Sequence, residues 1–276
     1  MMGKKLVPVL SILGALTGSN PHTINQVAET ASTGHLVEAL IHKYLELVEG
    51  IVLEDRAREY DYEAGDKARV RAAGLYRNVG EYDFSAMYPS LYTQDNVDPI
   101  TIHECADGFP IKLIGPKGNL VTRRVCFREG GPVHHVLSTF YNARKTTKEL
   151  KKVFGDAPDQ AVKTAVNSAY GIFGKSGLGM VNENVAAYIA QKTHMIQDDL
   201  WVRYNPIYSD TDSLYIPLNN IDPNALLEAI NEYLHKTYGP LMEVKLEGTW
   251  EYVYIPVGKT GKPSAKNYMK LSGDTD

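Results

Sequence analysis

Three aspartates in two separate segments are the residues of this sequence best suited to hold divalent metal ions. Asp83 follows a short apolar stretch, so its carboxylate is expected to project from a strand end, with the carbonyl group of Phe84 beside it. Asp210 and Asp212 lie between two β-prone runs, which predicts a hairpin whose turn carries both carboxylates. Mg²⁺ prefers carboxylate oxygens, and two such ions about 3.5–4 Å apart support phosphoryl transfer. We therefore predict that Asp83, Phe84 and Asp212 bind two Mg²⁺ ions, which Mn²⁺ can replace.

A segment between the two aspartate segments carries polar residues at helical spacing. Lys163, Asn167 and Tyr170 are spaced i, i+4 and i+7, which places all three on one face of a helix. Gly171 leaves room beside Tyr170 for a closely packed partner. A lysine on such a face is a point charge suited to a phosphate group.

A second predicted helix, upstream of the first, is also basic. Arg144 and Lys148 share one of its faces by the same i, i+4 rule. The planar guanidinium of Arg144 can bind phosphate oxygens through two parallel hydrogen bonds. Two basic helices that approach the carboxylates would therefore clamp a triphosphate.

Three segments together resemble the motifs of the family B DNA polymerases. Residues 83–92 are similar to motif A of that family, residues 163–171 to motif B (K-x-x-x-N-S-x-Y-G), and residues 208–213 to motif C. Three matches in the family's order are a much stronger signal than any one of them alone. Further similarity to archaeal members lies in three short runs: residues 32–38, 96–99 and 266–268.

The resemblance implies roles for the carboxylates and the basic residues. It makes Asp83 and Asp212 the ligands of the two metal ions, and Asp210 a secondary carboxylate near the metal or the primer. It makes Lys163 the best candidate to protonate the leaving pyrophosphate. Triphosphate ligands are implied at three positions: Arg144, Lys148 and Lys163.

The resemblance also implies how the nucleotide is selected. Tyr88 becomes a steric gate, whose ring packs where a 2′-hydroxyl would lie and so favours deoxynucleotides. Backbone N–H groups around Ala86 and Met87 add neutral donors to the phosphates, and Ser85 belongs to the same substrate-binding segment.

Contacts with the nascent base pair and the DNA are implied further along the chain. Asn167 and Tyr170 would line the pocket of the nascent base pair. Gly171, Lys266 and Tyr268 would touch the DNA, the last two just behind that pocket. Primer-template DNA and deoxynucleoside triphosphates are therefore the expected partners.

The predicted fold is α+β: a polymerase palm with an antiparallel sheet and flanking helices, and a short two-helix fingers subdomain. Residues 1–80 would lead into the palm with helices, 81–130 and 177–276 would form the palm, and 131–176 the fingers. Periodicity and turn residues predict individual elements. These are helices over 133–154, 160–173, 186–204 and 224–238, a hairpin over 107–131, strands within 242–257, and an exposed loop over 54–71.

On this resemblance, the family's exonuclease and thumb domains are expected to have no counterpart in the 276 residues. Three explanations stay open: a split enzyme whose second chain supplies them, a compact natural form, or a truncated chain. A net charge of −4 predicts weak, salt-sensitive binding to DNA, because phosphate neutralisation by Lys and Arg carries most non-specific affinity.

Composition and the cysteines give further expectations. No stretch is long enough to cross a membrane, and the expected location is the cytoplasm, a nucleoid or a viral replication site. Cys105 and Cys126 are not in a C-x-x-C arrangement, so neither a zinc site nor a disulfide is expected.

Two other functions are weighed against a DNA polymerase. A non-catalytic subunit or scaffold derived from a polymerase would need a partner chain, but the intact Asp83, Asp212, Lys163 and Arg144 argue against it. An enzyme that copies RNA or adds ribonucleotides is disfavoured by Tyr88 and by the Asp-Thr-Asp sequence of motif C.

Overall fold

A computed structural model describes residues 33–53, 57–63, 68–154, 157–174 and 180–272. The predicted features within residues 1–32 and 64–67 lie outside these described ranges. The described part combines helices with antiparallel sheets, which confirms the predicted α+β class. It divides into two compact units. The first unit comprises the described residues up to Glu63 and within Tyr88–Gln191. The second unit comprises the described residues within Ala64–Met87 and Lys192–Asp276.

The second unit is built around a six-stranded antiparallel sheet, in the order β1-β5-β6-β2-β7-β8. The strands are β1 Arg69–Val70, β2 Gly74–Phe84, β5 Tyr208–Asp210, β6 Ser213–Pro217, β7 Val244–Ile255 and β8 Met269–Leu271. Strands distant in sequence therefore become neighbours, and β2 lies between β6 and β7. One apolar cluster of the sheet comprises Val79, Ile207, Tyr208, Tyr215, Val253 and Ile255.

A helix of the second unit, Pro223–Tyr238, is fixed to the sheet at its N-terminus. Asp222 is its N-cap and accepts hydrogen bonds from the backbone N–H groups of Asn224 and Ala225, while proline takes the first helical position. The Tyr82 hydroxyl on β2 donates to the carbonyl of Pro223 over 3.0 Å. Burial, and then the charge of Asp222, raises the pKa of Tyr82 to about 12, so this donor keeps its proton at neutral pH.

The first unit is mainly helical. Its helices are α1 Thr33–Tyr44, a π-helical turn Leu45–Glu49, α2 Met87–Gln94, α3 Pro132–Phe154, α4 Ala157–Gly174 and the first part of α5 Glu183–Tyr204. The Pro223–Tyr238 helix of the second unit is α6. Met87, the first residue of α2, belongs to the second unit, and α5 runs on into it. α4 packs against both α1 and α3.

A buried carboxylate fixes the start of α3. Asp98 is fully buried and accepts hydrogen bonds from the N–H groups of Ile100, Thr101 and His134. A Cβ atom at Gly131 would lie 2.5 Å from the Asp98 carboxylate, so the chain passes this carboxylate only with glycine there. A His134 ring nitrogen also lies 2.9 Å from the Thr93 carbonyl oxygen, so this histidine packs at the start of the helix.

A two-stranded hairpin in the first unit, β3 His103–Ile114 with β4 Leu120–Cys126, corrects the prediction for the cysteines. Cys105 and Cys126 form a disulfide. The register pairs His103 with Cys126 and shifts between Glu104 and Phe109, which brings Cys105 beside Cys126. The prediction was wrong because strand register, and not local spacing, brings these two residues together.

Removing this disulfide is expected to destabilise the first unit. The bond joins residues separated by 21 positions, and closing a loop of that size stabilises the folded state by about 3 kcal/mol. Cys105→Ser/Cys126→Ser should therefore unfold at a lower denaturant concentration than the oxidised protein. Reductant should lower the midpoint of the native protein and leave that of the double variant unchanged. Equal midpoints for oxidised and reduced native protein would contradict a stabilising role.

Predicted and observed elements agree closely for the helices. All four predicted helices begin within three residues of their observed starts, at 133 against 132, 160 against 157, 186 against 183 and 224 against 223. The predicted loop over 54–71 is wrong in part, because Arg69–Val70 forms β1 and Tyr62 is buried. No helix in the described part of the chain is both long and apolar enough to cross a membrane.

Candidate active site

The two aspartates predicted to bind metal ions lie close together along the backbone of the second unit, Asp83 near the end of β2 and Asp212 in the turn just before β6. Asp83, at the end of β2, is paired in register with Ser213, the first residue of β6. The backbone N–H of Phe84 donates to the carbonyl of Asp212 over 2.9 Å. Antiparallel pairing therefore brings together the backbones of two aspartates that are far apart in sequence. Both side chains are partly exposed to solvent.

The turn between β5 and β6 is unusually tight. The N–H of Asp212 donates to the carbonyl of Asp210 over 2.6 Å, two residues back, which closes a three-residue γ-turn. Thr211, at its centre, has φ of 56°. A β-branched residue in the left-handed region is strained, and such strain persists only where the surrounding structure enforces it. The predicted hairpin is confirmed, and its turn carries both aspartates.

The Asp210 carboxylate is held by its neighbours. The Tyr208 hydroxyl donates to Asp210 Oδ2 over 3.2 Å, and the Thr211 hydroxyl donates to Oδ1 over 3.3 Å. Lys266 Nζ lies 3.9 Å from Oδ1, although 65% of the Lys266 side chain is exposed, so solvent weakens this ion pair. Lys266 itself has φ of 75°. A second strained residue therefore lies beside this aspartate.

The donor set suits Mg²⁺ only together with further oxygen ligands. No three His, Cys, Asp or Glu side chains within the described ranges are grouped closely enough to hold a metal ion. The Phe84 ring is buried, so the group of this residue that could bind a metal ion is its backbone carbonyl. Mg²⁺ is commonly bound by one or two carboxylates plus substrate phosphates, which matches two aspartates and a carbonyl.

The chain after Asp83 turns from strand into helix. The N–H of Ser85 donates to the carbonyl of Glu243 over 3.2 Å, and α2 then begins at Met87. The first N–H groups of a helix have no partner within it, so those around Ala86 and Met87 suit an anionic ligand. The side chain of Tyr88 is partly exposed.

Within the first unit, α2 is bonded to both basic helices. The Tyr92 hydroxyl donates to the Val166 carbonyl on α4 over 3.1 Å. The Ser90 hydroxyl lies 3.2 Å from the Tyr141 hydroxyl on α3. Burial, ahead of the neighbouring charges, raises the pKa of Tyr92, so its hydroxyl remains a donor. These two hydrogen bonds connect α2, which begins within motif A, to the helices α3 and α4 that carry the predicted triphosphate ligands.

The polar face predicted for motif B is present on α4. Lys163, Asn167 and Gly171 are all exposed, whereas Val162 and Val166 are buried. The exposed residues follow the i, i+4 spacing that the sequence predicted. The side chain of Tyr170 lies outside what the structure describes.

The basic residues of α3 differ in exposure. Lys148 is exposed and Arg144 is half-buried. These residues and those of α4 belong to the first unit, whereas the carboxylates belong to the second. The residues predicted to bind metal and those predicted to bind triphosphate therefore belong to different units.

A group of residues in the second unit was missed by the sequence reasoning. Glu81 accepts hydrogen bonds from Tyr215, Trp250 and Lys270. Tyr268, predicted to touch DNA, has its hydroxyl 2.9 Å from that of Tyr215. A second carboxylate, two residues before Asp83 in the β-prone end of β2, was the signal available in the sequence.

The comparisons with known proteins agree with the motif resemblance. No protein-family profile matches the chain. DNA polymerase 1 of Pyrococcus abyssi is 26% identical over 272 residues, which cover 90% of this chain and 34% of the relative. A DNA polymerase of Thermococcus sp. strain 9oN-7 is 25% identical over 273 residues, covering 92% and 34% respectively.

A solved structure shows the same relationship. The family B DNA polymerase from the hyperthermophilic archaeon Pyrobaculum calidifontis matches with a TM-score of 0.63 and 25% identity, over 100% of this chain and 36% of that chain. The chain is thus related to the archaeal family B DNA polymerases, as its motifs predicted. It spans about a third of the length of these relatives.

Proposed function

We propose that this chain carries the nucleotidyl-transfer core of a template-directed DNA polymerase, and that primer-template DNA and deoxynucleoside triphosphates are its partners. The observation that supports this most is the pairing of β2 with β6. It sets Asp83 beside the strained turn that carries Asp210 and Asp212, at the positions of motifs A and C. The relatedness to DNA polymerases supports the same activity.

In the proposed reaction the primer 3′-hydroxyl loses its proton to solvent, its oxygen attacks the α-phosphorus, the bond to the bridging oxygen breaks, and pyrophosphate leaves. Asp83, Asp212 and the Phe84 carbonyl would hold two Mg²⁺ ions. When bound, the ions would lower the pKa of the 3′-hydroxyl and stabilise the negative charge that develops on the phosphates. The role of the two aspartates is to fix the positions of these charges, which requires a rigid turn.

The basic and aromatic residues would bind and select the nucleotide. Lys163, Arg144 and Lys148 would neutralise the triphosphate, with Lys163 giving its proton to the leaving pyrophosphate. N–H groups around Ala86 and Met87 would donate to the same phosphates.

Further residues would select the sugar and contact the base pair and the DNA. Tyr88 would exclude a 2′-hydroxyl, and Asn167 and Tyr170 would line the base-pair pocket. Gly171, Lys266 and Tyr268 would contact the DNA. Residues 1–80 would lead into the palm, 81–130 and 177–276 would form the palm, and 131–176 would form the fingers.

Primer extension tests the proposal directly. A labelled primer on a DNA template, with Mg²⁺ and deoxynucleotides at low salt, should be extended in the order that the template dictates. Low salt is needed because the net charge of −4 predicts weak binding. Ribonucleotides should compete poorly. Absence of extension under these conditions would contradict an autonomous polymerase and favour a subunit that needs a second polymerase chain.

A further inference from the structure

One largely buried carboxylate in the second unit, that of Glu81, contacts side chains from three other strands. Glu81 Oε1 accepts from the Tyr215 hydroxyl over 2.5 Å, and Oε2 accepts from Trp250 Nε1 over 2.8 Å. Lys270 Nζ lies 2.8 Å and 3.1 Å from the two oxygens. Only 13% of the Glu81 side chain is exposed. These donors come from β6, β7 and β8, so Glu81 connects each of them to β2.

The charge of Glu81 is maintained by its partners. Burial opposes ionisation, but the hydrogen bonds from Lys270, Tyr215 and Trp250 outweigh it and lower the pKa of Glu81. The ammonium group of Lys270 also lies 4.5 Å from the centre of the Trp250 ring, a favourable cation–π distance. The carboxylate is therefore bound by one ammonium group and two neutral donors.

Three tyrosine rings connect this carboxylate to the candidate active site. Tyr215 packs against Tyr208 and Tyr268 with ring centroids 5.3 Å away in each case, and Tyr208 lies 4.9 Å from Tyr268. The hydroxyls of Tyr215 and Tyr268 are 2.9 Å apart. Tyr208 and Tyr215 are each 1% exposed, so these two rings are closely packed on the sheet, while Tyr268 is partly exposed.

The far side of the tyrosine cluster reaches Asp210. The Tyr208 hydroxyl donates a hydrogen bond to Asp210. The same hydroxyl oxygen accepts a hydrogen bond from the backbone N–H of Lys266. Lys266 has φ of 75° and places its amine 3.9 Å from Asp210. A strained lysine beside a carboxylate indicates that neighbouring contacts, and not its own preference, determine its position.

We propose that Glu81 is a positioning residue. It fixes residues 266–270 against β6, so that Lys266 and Tyr268 are presented beside Asp210. The functional part rests on the proposed polymerase activity, whereas the positioning itself does not depend on it.

A purely stabilising role would not require this residue type. Well-packed apolar side chains often replace a buried ion pair without loss of stability, whereas ionic and polar groups can specify one arrangement. Glu81, Tyr215 and Lys270 belong to three strands, and their hydrogen bonds are satisfied only when these strands are in the observed register. The network therefore selects the position of β8 and of the residues just before it.

Hydrogen–deuterium exchange tests the positioning. Glu81→Gln keeps the shape of the side chain and removes its charge. Exchange of the backbone amides in residues 264–271 should become about tenfold faster, the size expected for losing a charged hydrogen bond. Exchange in β2, in β6 and in the part of β7 that is not paired with β8 should be unchanged. Glu251→Gln, on the exposed face of β7, is the matched control and should alter neither region.

Two further variants keep this test decisive. If Glu81→Gln does not fold, Tyr268→Phe, which removes only the hydroxyl bonded to Tyr215, should give the same local increase in exchange. Since Trp201 and Trp250 are the two tryptophans, Trp201→Phe leaves Trp250 as a fluorescent reporter whose emission should shift with Glu81→Gln. Unchanged exchange in 264–271 in these variants would overturn the proposal.

Primer extension then tests the functional part. Glu81→Gln should lower kcat about tenfold with little change in KM for the nucleotide, and should add no further loss to Lys266→Ala. Such non-additivity is expected when one residue acts through another. Additive losses, or full activity despite faster local exchange, would overturn the functional part. If the native chain fails to extend primers, the proposed function fails, and exchange still decides whether Glu81 positions this segment.

Discussion

Replacing Asp212 by asparagine is expected to reduce primer extension at least about 10³-fold. Asparagine keeps the shape of the side chain but removes the charge that would hold a metal ion, and metal stabilisation of phosphoryl transfer contributes several kcal/mol, at 1.36 kcal/mol for each tenfold. The backbone bond from Phe84 to the Asp212 carbonyl does not involve the side chain, so the fold should survive. Single-turnover extension rates at saturating Mg²⁺ measure the effect.

Matched variants distinguish this loss from a general effect of charge. Asp198→Asn removes a carboxylate in the same unit, which is 60% exposed and paired with Arg69, and should leave the rate nearly unchanged. Asp83→Asn should match Asp212→Asn. Asp210→Asn should lose much less, because Asp210 is assigned a secondary role and is held by Tyr208. Equal rates for native and Asp212→Asn protein would eliminate the proposed metal site.

The helices were predictable because their signals are local. α6 begins where Asp222 caps it and proline follows, a pattern that is visible within three residues of sequence. The long apolar periodicity of α3 likewise locates it to within one residue of its observed start. The two aspartate segments were also local signals, since each combines β-prone residues with carboxylates at a turn.

The disulfide and the Glu81 network were not predictable for the opposite reason. Cys105 meets Cys126 through strand register and an irregularity in β3, which leave no mark on the spacing of the cysteines. Glu81 meets Tyr215 and Lys270 from strands that are more than 130 and more than 180 residues away along the chain. The order of strands in the sheet determines such contacts, and one sequence without relatives does not reveal that order.

The strain at the candidate site was also hidden from the sequence. Asp-Thr-Asp reads as an ordinary hairpin turn, yet the structure closes it as a γ-turn with Thr211 in the left-handed region. Glycine or asparagine would have signalled that backbone shape, whereas threonine disfavours it. A sequence preference overridden at this position fits the general tendency for strained residues to occur at functional sites.

Replacing Lys163 by alanine is expected to lower kcat about 10²–10³-fold, the range for loss of a proton donor or of one charged stabilising group. The residue is exposed on α4, and the buried face formed by Val162 and Val166 is untouched, so the helix should remain folded. Lys117→Ala, at an exposed position between β3 and β4, is the control for loss of a positive charge in the same unit.

Lys163→Arg separates the two roles assigned to this lysine. Arginine keeps the positive charge, so it should restore KM for the nucleotide if Lys163 binds the triphosphate. Its guanidinium does not release a proton at neutral pH, so kcat should stay low if Lys163 also protonates the pyrophosphate. Full recovery of kcat in the arginine variant would leave Lys163 as a binding charge alone and remove it as the proton donor.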